Sequence, residues 1–336
     1  MNEIKVDIIQ IRGSSYEIGK KISPYYLANP IIEQFKQLTN PSTDHTETKA
    51  LFSDFAPHLL DELHGLADGL KMSMDDTLTL SSGFNNRKPP ALGCTAFVDN
   101  SHYIRNYDFG PDLYDHCLSF VAPIKAFGSI GYNLQLIGRH DGVNEKGLAI
   151  GLHFVSNKGF QKGLAAWSAI RIALDTCATT EQVIDLFKQL PHAACYNFSV
   201  GDAQGHHVVI EATPDIVSIR SSENGINCVN HFQDPTLSTY NRDDVTGSAN
   251  RYNFLTRLET LGVHQKDLFR LFATPSSPLF YENYDELFGT LHTIAYSFEN
   301  KHVITALARG QALEVSLEKW FAGEDIKFDK LIGYKK

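Results

Sequence analysis

The sequence predicts an α+β fold of four layers: two antiparallel sheets face to face, with helices outside each. Three observations predict it. Short β-rich runs joined by turn residues fill most of the chain after Gly93. Their close spacing gives hairpins, which antiparallel strands use and parallel strands cannot. Helical periodicity is confined to separate blocks instead of alternating with the strands, as expected for helices covering antiparallel sheets. The 336 residues, 43% hydrophobic and 11% aromatic, suffice for a core of that size.

Taken in order, the first third reads as helical. A segment opening at Tyr16-Glu17-Ile18-Gly19 runs through Ile31 to Phe35, broken or kinked by Pro24 and Pro30. Leu51, Phe55, Leu59, Leu60, Leu63, Leu66 and Leu70 recur at helical spacing, with Asp61, Glu62 and His64 on the polar side. Gly65 and Gly69 in that stretch suggest close helix packing or an early stop, and Pro89-Pro90 ends the region.

From Cys94 the texture changes. Thr95–Val98 and His102–Arg105 read as a hairpin across Asp99-Asn100-Ser101. Asn197–Val200 pairs with His207–Glu211, Ile216–Arg220 with Ile226–Val229, and Leu291–Phe298 with His302–Ala308. Helical blocks interrupt the strands at about 165–190, as two helices, and at 248–272.

Composition excludes several classes. The net charge of −9 carries no basic cluster, so a nucleic-acid surface is not expected. No apolar run of membrane-spanning length occurs, and the charged N-terminus lacks a signal-peptide core, so the expectation is a cytoplasmic protein without a membrane partner. The cysteines are Cys94, Cys117, Cys177, Cys195 and Cys228. An odd number, widely spaced and without C-x-x-C, argues against a disulfide framework or zinc ribbon. Most read as small core residues.

Cys94 has a chemical context. A thiol nucleophile must be a thiolate, and a chain beginning with cysteine carries its own base in the α-amine. Creating that terminus requires attack of the thiol on the Gly93 carbonyl, an N-to-S acyl shift and hydrolysis of the thioester. Gly93, lacking Cβ, suits the strained bond. Arg105 and Asp108 return on the next strand, where an arginine would lower the thiol pKa and an aspartate would hold the amine. On spacing alone, a salt bridge at a hairpin end explains that pair as well.

These residues resemble the N-terminal-nucleophile hydrolases of the choloylglycine hydrolase superfamily, nearest to the acyl-coenzyme A:6-aminopenicillanate acyltransferase branch, peptidase family C45. The segments that carry the resemblance, in order, are Gly13–Gly19, Glu62–Gly69, Gly93-Cys94-Thr95 with Arg105–Asp108, Gly142–Ala149, Val229–Phe232 and Ser248–Tyr252. The resemblance implies a four-layer αββα sandwich, with residues 1–93 a helical pro-segment and 94–336 the catalytic region after self-cleavage between Gly93 and Cys94. It implies Cys94 as nucleophile and base, and the Asn230 amide as an oxyanion donor. It implies Arg251 as an electrostatic guide beside Arg105 and Asp108. His153 stands where bile-salt hydrolases commonly carry asparagine and would give its backbone N–H to the oxyanion.

The implied enzyme cleaves or transfers acyl groups of linear amides through a Cys94 thioester, releasing them to water or to an amine. Its partners are a small acyl amide or an acyl-CoA; no metal or organic cofactor is called for, and a homo-oligomer stays open. Phe97, Tyr107, Phe109 and Tyr114 would line an acyl pocket or simply pack the core. A papain-like pairing of Cys94 with His140 or His231 lacks the flanking signature. A metal at His206-His207 fails because adjacent strand residues face opposite sides, and His192 with Cys195 lacks two ligands. The remaining alternative is an uncut, catalytically silent binding or scaffold protein.

Overall fold

The computed structural model describes residues 2–28, 30–89, 93–257 and 263–335. β1 (Asn2–Gly13) leads into α1 (Ser15–Leu27), α2 (Ile31–Lys36), α3 (His45–Phe55), α4 (Pro57–Leu70) and α5 (Met74–Ser81). Then follow β2 (Gly93–Val98), β3 (His102–Phe109), β4 (Cys117–Pro123), β5 (Ser129–Leu134), β6 (Gly138–Asn144) and β7 (Ala149–Ser156). After α6 (Ala166–Thr176) and α7 (Thr180–Gln189) come β8 (Cys195–Gly201), β9 (His207–Ala212), β10 (Val217–Ser221) and β11 (Ile226–Cys228). The last part holds α8 (Thr246–Thr256), α9 (Gln265–Ala273), β12 (Glu282–Asn283), β13 (Phe288–Ser297), β14 (His302–Leu307), β15 (Leu313–Ser316), α10 (Leu317–Phe321) and β16 (Lys330–Lys335).

Two sheets form the centre. One has nine strands in the order β10-β9-β8-β7-β6-β5-β4-β1-β16; the other runs β11-β2-β3-β13-β14-β15, with β12 on β13. All pairs are antiparallel except β1 with β4. The expected α+β class with two antiparallel-rich sheets is met. Helices α6 and α7 cover the large sheet and α9 covers β3, β13 and β14 of the other. Between the sheets, hydroxyl pairs bridge the apolar filling: Tyr103 to Ser199 at 2.9 Å and Tyr132 to Thr305 at 2.7 Å. Buried hydroxyls of this kind need such partners.

The N-terminal third departs from the helical expectation at its start. β1 is a strand of twelve residues inside the large sheet, and the alternation Ile4, Val6, Ile8 is its signal. The stretch around residues 51–70 is two helices, because Pro57 starts α4 where its missing N–H costs nothing. Pro24 stays inside α1; the Lys20 carbonyl that its ring deprives of a partner accepts from the Ser23 hydroxyl at 2.9 Å. Pro90 lies outside the described residues.

Close helix packing at the glycines is met. A Cβ on Gly65 would stand 1.9 Å from the Tyr16 carbonyl oxygen, and one on Gly19 the same distance from that of Glu62. Glu62 is not on a polar face. It is buried against Arg171 of α6, which it meets at 3.0 and 2.5 Å. The same arginine pairs with Asp175, which accepts from His58 at 2.8 Å.

The hairpins 95–105, 197–211 and 291–308 are present. The expected pairing of 216–220 with 226–229 is not. β10 joins β9 in the large sheet, whereas β11 crosses to β2 in the other. The reason is packing: β11 buries Ile226 and Cys228 beside β2, which a hairpin with the partly exposed β10 would not do. Of the block at 248–272, residues 258–262 lie outside the described residues; α8 and α9 flank them. Among the described residues, no helix is long and apolar enough to cross a membrane.

Candidate active site

The register of β2 against β3 distributes the predicted residues. Cys94 pairs with Tyr107 and Ala96 with Arg105, so these four share the face turned to the large sheet. Gly93 pairs with Asp108 and Thr95 with Asn106 on the opposite face, toward α8 and α9. Arg105 is therefore the diagonal neighbour of Cys94, and its guanidinium donates to Cys94 Sγ at 3.0 Å. It also donates to the Leu152 carbonyl at 2.6 Å and to Asp141.

The other face belongs to Arg251. On α8 the residues Ser248, Arg251 and Leu255 point inward at helical spacing. Arg251 donates to the Cys94 carbonyl at 3.1 Å, the Thr95 hydroxyl at 2.8 Å, Asp108 at 3.2 Å and Asn230 Oδ1 at 2.9 Å. Asn230, two residues beyond β11, also accepts the Cys94 N–H on Oδ1 at 2.8 Å. Its Nδ2 donates to the Phe154 carbonyl at 2.9 Å, and its own N–H to the Ser248 hydroxyl at 2.8 Å. The second Asp108 oxygen accepts from Thr290 at 2.7 Å.

The structure thus brings Gly93, Cys94, Arg105, Asp108, Asn230 and Arg251 into one buried cluster, in which Arg251, at 4%, is the most exposed residue apart from the buried glycine. His153 lies on β7 of the facing sheet, its Nε2 sharing a hydrogen bond with the Ser199 hydroxyl at 3.0 Å. Burial, then Arg105, holds its ring well below the ordinary histidine pKa, so it is neutral. Of the aromatic candidates, Tyr107 and Phe109 border a small apolar cavity with Leu134, Trp167 and Pro89. Phe97 packs instead with α9, and the Tyr114 hydroxyl meets His292 at 2.8 Å.

Electrostatics favour a protonated thiol in this uncut chain. Burial pushes Cys94 up to about 11, against the pull of Arg105 and Arg251. The expected lowering by arginine is thus present but outweighed. Burial also raises Asp108, opposed by Arg251 and the Thr290 hydrogen bond.

Sequence reasoning missed the support behind Arg105. Asp141 on β6 takes the guanidinium and, at 2.9 Å, His292 Nε2 from β13. His292 stacks on Tyr132 with ring centroids 3.7 Å apart. Asp141 immediately precedes the Gly142–Ala149 motif and could have been found there; His292 carries no local signal. His140 is buried with its ring 3.9 Å from that of Tyr107 and is no base for Cys94, whose sulfur is met by Arg105. His231 bonds the Ser248 hydroxyl at 2.7 Å.

A buried thiol gripped by one arginine, with a second arginine on its own peptide, defines a site suited to acyl chemistry. The family model of the acyl-coenzyme A:6-aminopenicillanic acid acyl-transferases matches residues 98–312, and the chain belongs to that family. The match spans Arg105, Asp108, Asn230 and Arg251 and begins four residues after Cys94. The chain is thereby placed among enzymes that make or break amide bonds.

Solved structures are similar over much of the chain at low identity. A mutant of the conjugated bile acid hydrolase from Clostridium perfringens has 11% identity and a TM-score of 0.47, covering 73% of this chain and 97% of its own. Penicillin V acylase from Agrobacterium tumefaciens has 12% identity and a TM-score of 0.40, covering 68% and 86%. The Caenorhabditis elegans ortholog of N-acylethanolamine-hydrolyzing acid amidase has 14% identity and a TM-score of 0.41, covering 61% and 93%. No curated protein sequence matches the chain.

Proposed function

We propose that this protein is a self-processing cysteine hydrolase or acyltransferase of linear acyl amides, with Cys94 as nucleophile. The observation that carries the reading is the double grip on Cys94: Sγ on Arg105, and the peptide N–H and carbonyl on Asn230 and Arg251. In processing, the thiol attacks the Gly93 carbonyl and the C–N bond breaks. The Cys94 nitrogen leaves as an amine, and water hydrolyses the resulting thioester to free the sulfur. The new amine inherits the Asn230 acceptor that now holds its N–H. It can then take the thiol proton, which the buried, uncut thiol does not release at neutral pH.

In turnover the thiolate adds to the amide carbonyl, and the tetrahedral oxyanion needs donors. Asn230 Nδ2 has a second hydrogen beyond the one given to Phe154, and the His153 backbone N–H is the other candidate. Collapse expels the amine, and water or another amine takes the acyl group. Residues 1–93 act as the pro-segment and 94–336 as the catalytic region. The two pieces stay together, because β1 is a strand of the large sheet, Glu62 is ion-paired to α6 and His58 is hydrogen-bonded to it. A cytoplasmic setting fits the free, buried cysteines.

Intact-mass measurement of the purified protein tests this. Two polypeptides divided between Gly93 and Cys94 are expected, and Cys94→Ala should stay one chain without amidase or acyltransferase activity. A single wild-type chain inert to thiol probes and acyl amides would instead favour the silent binding protein.

A further inference from the structure

The ion pair behind Cys94 is only half closed. Arg105 reaches Asp141 through Nη1, and a single carboxylate oxygen, Oδ2, accepts it. Arg105 Nε and the other oxygen, Asp141 Oδ1, are both buried without a hydrogen-bond partner among the described residues. An arginine and a carboxylate left to themselves commonly close with two parallel bonds. Buried polar atoms left over on each side are unfavourable. Something holds this pair open.

His292 occupies the position that does so. Its Nε2 meets the same oxygen, Oδ2, at 2.9 Å. An ionised carboxylate only accepts, so Nε2 carries the proton. Burial, the leading cause, holds the ring below its ordinary pKa, so it is neutral and Nδ1 accepts. The Tyr114 hydroxyl donates to Nδ1 at 2.8 Å. Tyr132 stacks on the ring, and Tyr107 of β3 and His140 of β6 stand 5.4 and 6.0 Å from its centre. The ring cannot turn away without giving up both bonds.

A bulge in β13 puts it there. Thr290 pairs with Asp108 and His292 with Tyr107, so Leu291 is the extra residue. Residues two apart on a regular strand share a face. Here Thr290 stands on the α8 side and donates to Asp108, whereas His292 stands between the sheets. One strand thus braces the carboxylate of each arginine that grips Cys94.

We propose that His292 is a positioning residue for the chemistry at Cys94: by occupying Asp141 Oδ2 it keeps the Arg105 pair to one contact and leaves guanidinium charge and Nη2 for the sulfur. The proposal rests on the Cys94 reading. Without the ring, Asp141 turns and closes on Nε and Nη1, drawing Nη2 off Sγ. The thiolate then loses its nearest cation and forms only at higher pH. The other titratable or charged groups that act on Cys94 are Tyr107, Asp108, Arg251, Cys228, Tyr196 and His153. His292 hydrogen-bonds to none of them.

The test measures kcat and KM for decanoyl p-nitroanilide across the pH range on processed wild type, His292→Leu and His292→Gln, with intact mass giving the cut fraction. Glutamine keeps an N–H where Nε2 stood. His292→Leu should lose about tenfold or more in kcat while KM stays within about twofold. The acidic limb of its kcat/KM profile should move up by about one pH unit. His292→Gln should regain most of both. A merely structural histidine would lower the thermal midpoint and the active fraction but leave the limb in place. That outcome overturns the proposal, as does a leucine variant with wild-type kcat and limb, or a glutamine variant no better than leucine. If the wild type turns over no acyl amide, the Cys94 reading fails separately. In that case, or if His292→Leu stays uncut, the pH dependence of Cys94 alkylation by iodoacetamide, read by peptide mass, decides. A curve raised in His292→Leu supports positioning, and coincident curves overturn it.

Discussion

Asp141 of β6 and Arg105 of β3 form an ion pair across the two sheets in which neither side chain is exposed. The pair holds the guanidinium where its other end reaches Cys94 Sγ at 3.0 Å. Burial would raise the Asp141 pKa, yet His292 and Arg105 more than offset it and hold the carboxyl below its usual range. Asp141→Asn leaves Arg105 as a buried charge without its counter-ion. Loss of one partner of a buried pair costs about 3–5 kcal/mol, readable as a lowered urea midpoint. It should also slow the appearance of the cut form, since Arg105 loses its fixed direction. A variant as stable and as fully processed as wild type would remove Asp141 from the site.

Acid should destabilise the fold through three buried histidines. Asp115 offsets this in part: burial pushes its carboxyl up to about 7, so the folded chain binds that proton first. His140, His153 and His292 are all buried, and burial, the leading cause for each, holds their pKa values below 6.5. For a histidine lowered on folding, the unfolded chain binds the extra proton. Stability is therefore full above 6.5 and is lost as pH falls through that value. Each histidine contributes at most about 1.4 kcal/mol per pH unit below it. Thermal midpoints measured at pH 7.5, 6.5 and 5.5 should fall between the last two, and a flat profile would mean that these rings are not neutral in the fold.

Much of this site was legible because strand geometry is periodic. The return of Arg105 beside Cys94 follows from a three-residue turn, and the alternation of faces sends Asp108 to Arg251 and not to the sulfur. Asn230 and Arg251 came from the family resemblance, since a strand-end asparagine and a helical arginine look solvated when read alone. Asp141 and His292 stayed hidden because the contacts that matter join β6 to β13, strands of different sheets far apart in sequence. β11 was misplaced for a related reason. A local turn predicts a hairpin, but burying Cys228 beside β2 overrode it. β1 was lost to the helical pattern that follows it, although its alternating isoleucines were there to read.

The N-terminal third should be coupled to α6 through Glu62 and Arg171. Glu62→Leu removes one partner of a pair only 2% exposed on each side and should cost on the order of 3 kcal/mol. Adding Arg171→Met should cost less than the sum of the two single changes, because each single change already loses the Glu62–Arg171 pair. The cost of leaving Asp175 without its arginine appears only where Arg171 is replaced. Denaturant unfolding of the four proteins gives the coupling directly. Strict additivity would mean that the ion pair does not join these two parts.

Helix α1 crosses α4 at backbone distance, and Gly19 and Gly65 permit it. At Gly65 a methyl would overlap the Tyr16 carbonyl oxygen, an atom that cannot rotate away. Gly65→Ala should therefore force the helices apart at a cost of about 1–3 kcal/mol or more, although alanine is the better helix former. A thermal midpoint that rises in Gly65→Ala would show that helix propensity wins over the crossing.

Asn230 is asked to do two things, and its variants should separate them. Its Oδ1 accepts from the Cys94 N–H and from Arg251, while Nδ2 is the donor available to an oxyanion. Asn230→Asp keeps an acceptor facing both N–H groups but removes the donor, so the chain should still be cut, slowly, with turnover of acyl amides nearly lost. Asn230→Ala removes both, and it should impair processing as well as turnover. Loss of a single oxyanion donor corresponds to about 10²–10³ in kcat. Intact mass reports the first step and single-turnover acyl transfer the second. If Asn230→Asp cuts itself and turns over at wild-type rates, the side chain only positions Cys94, and the oxyanion is held by backbone N–H groups alone.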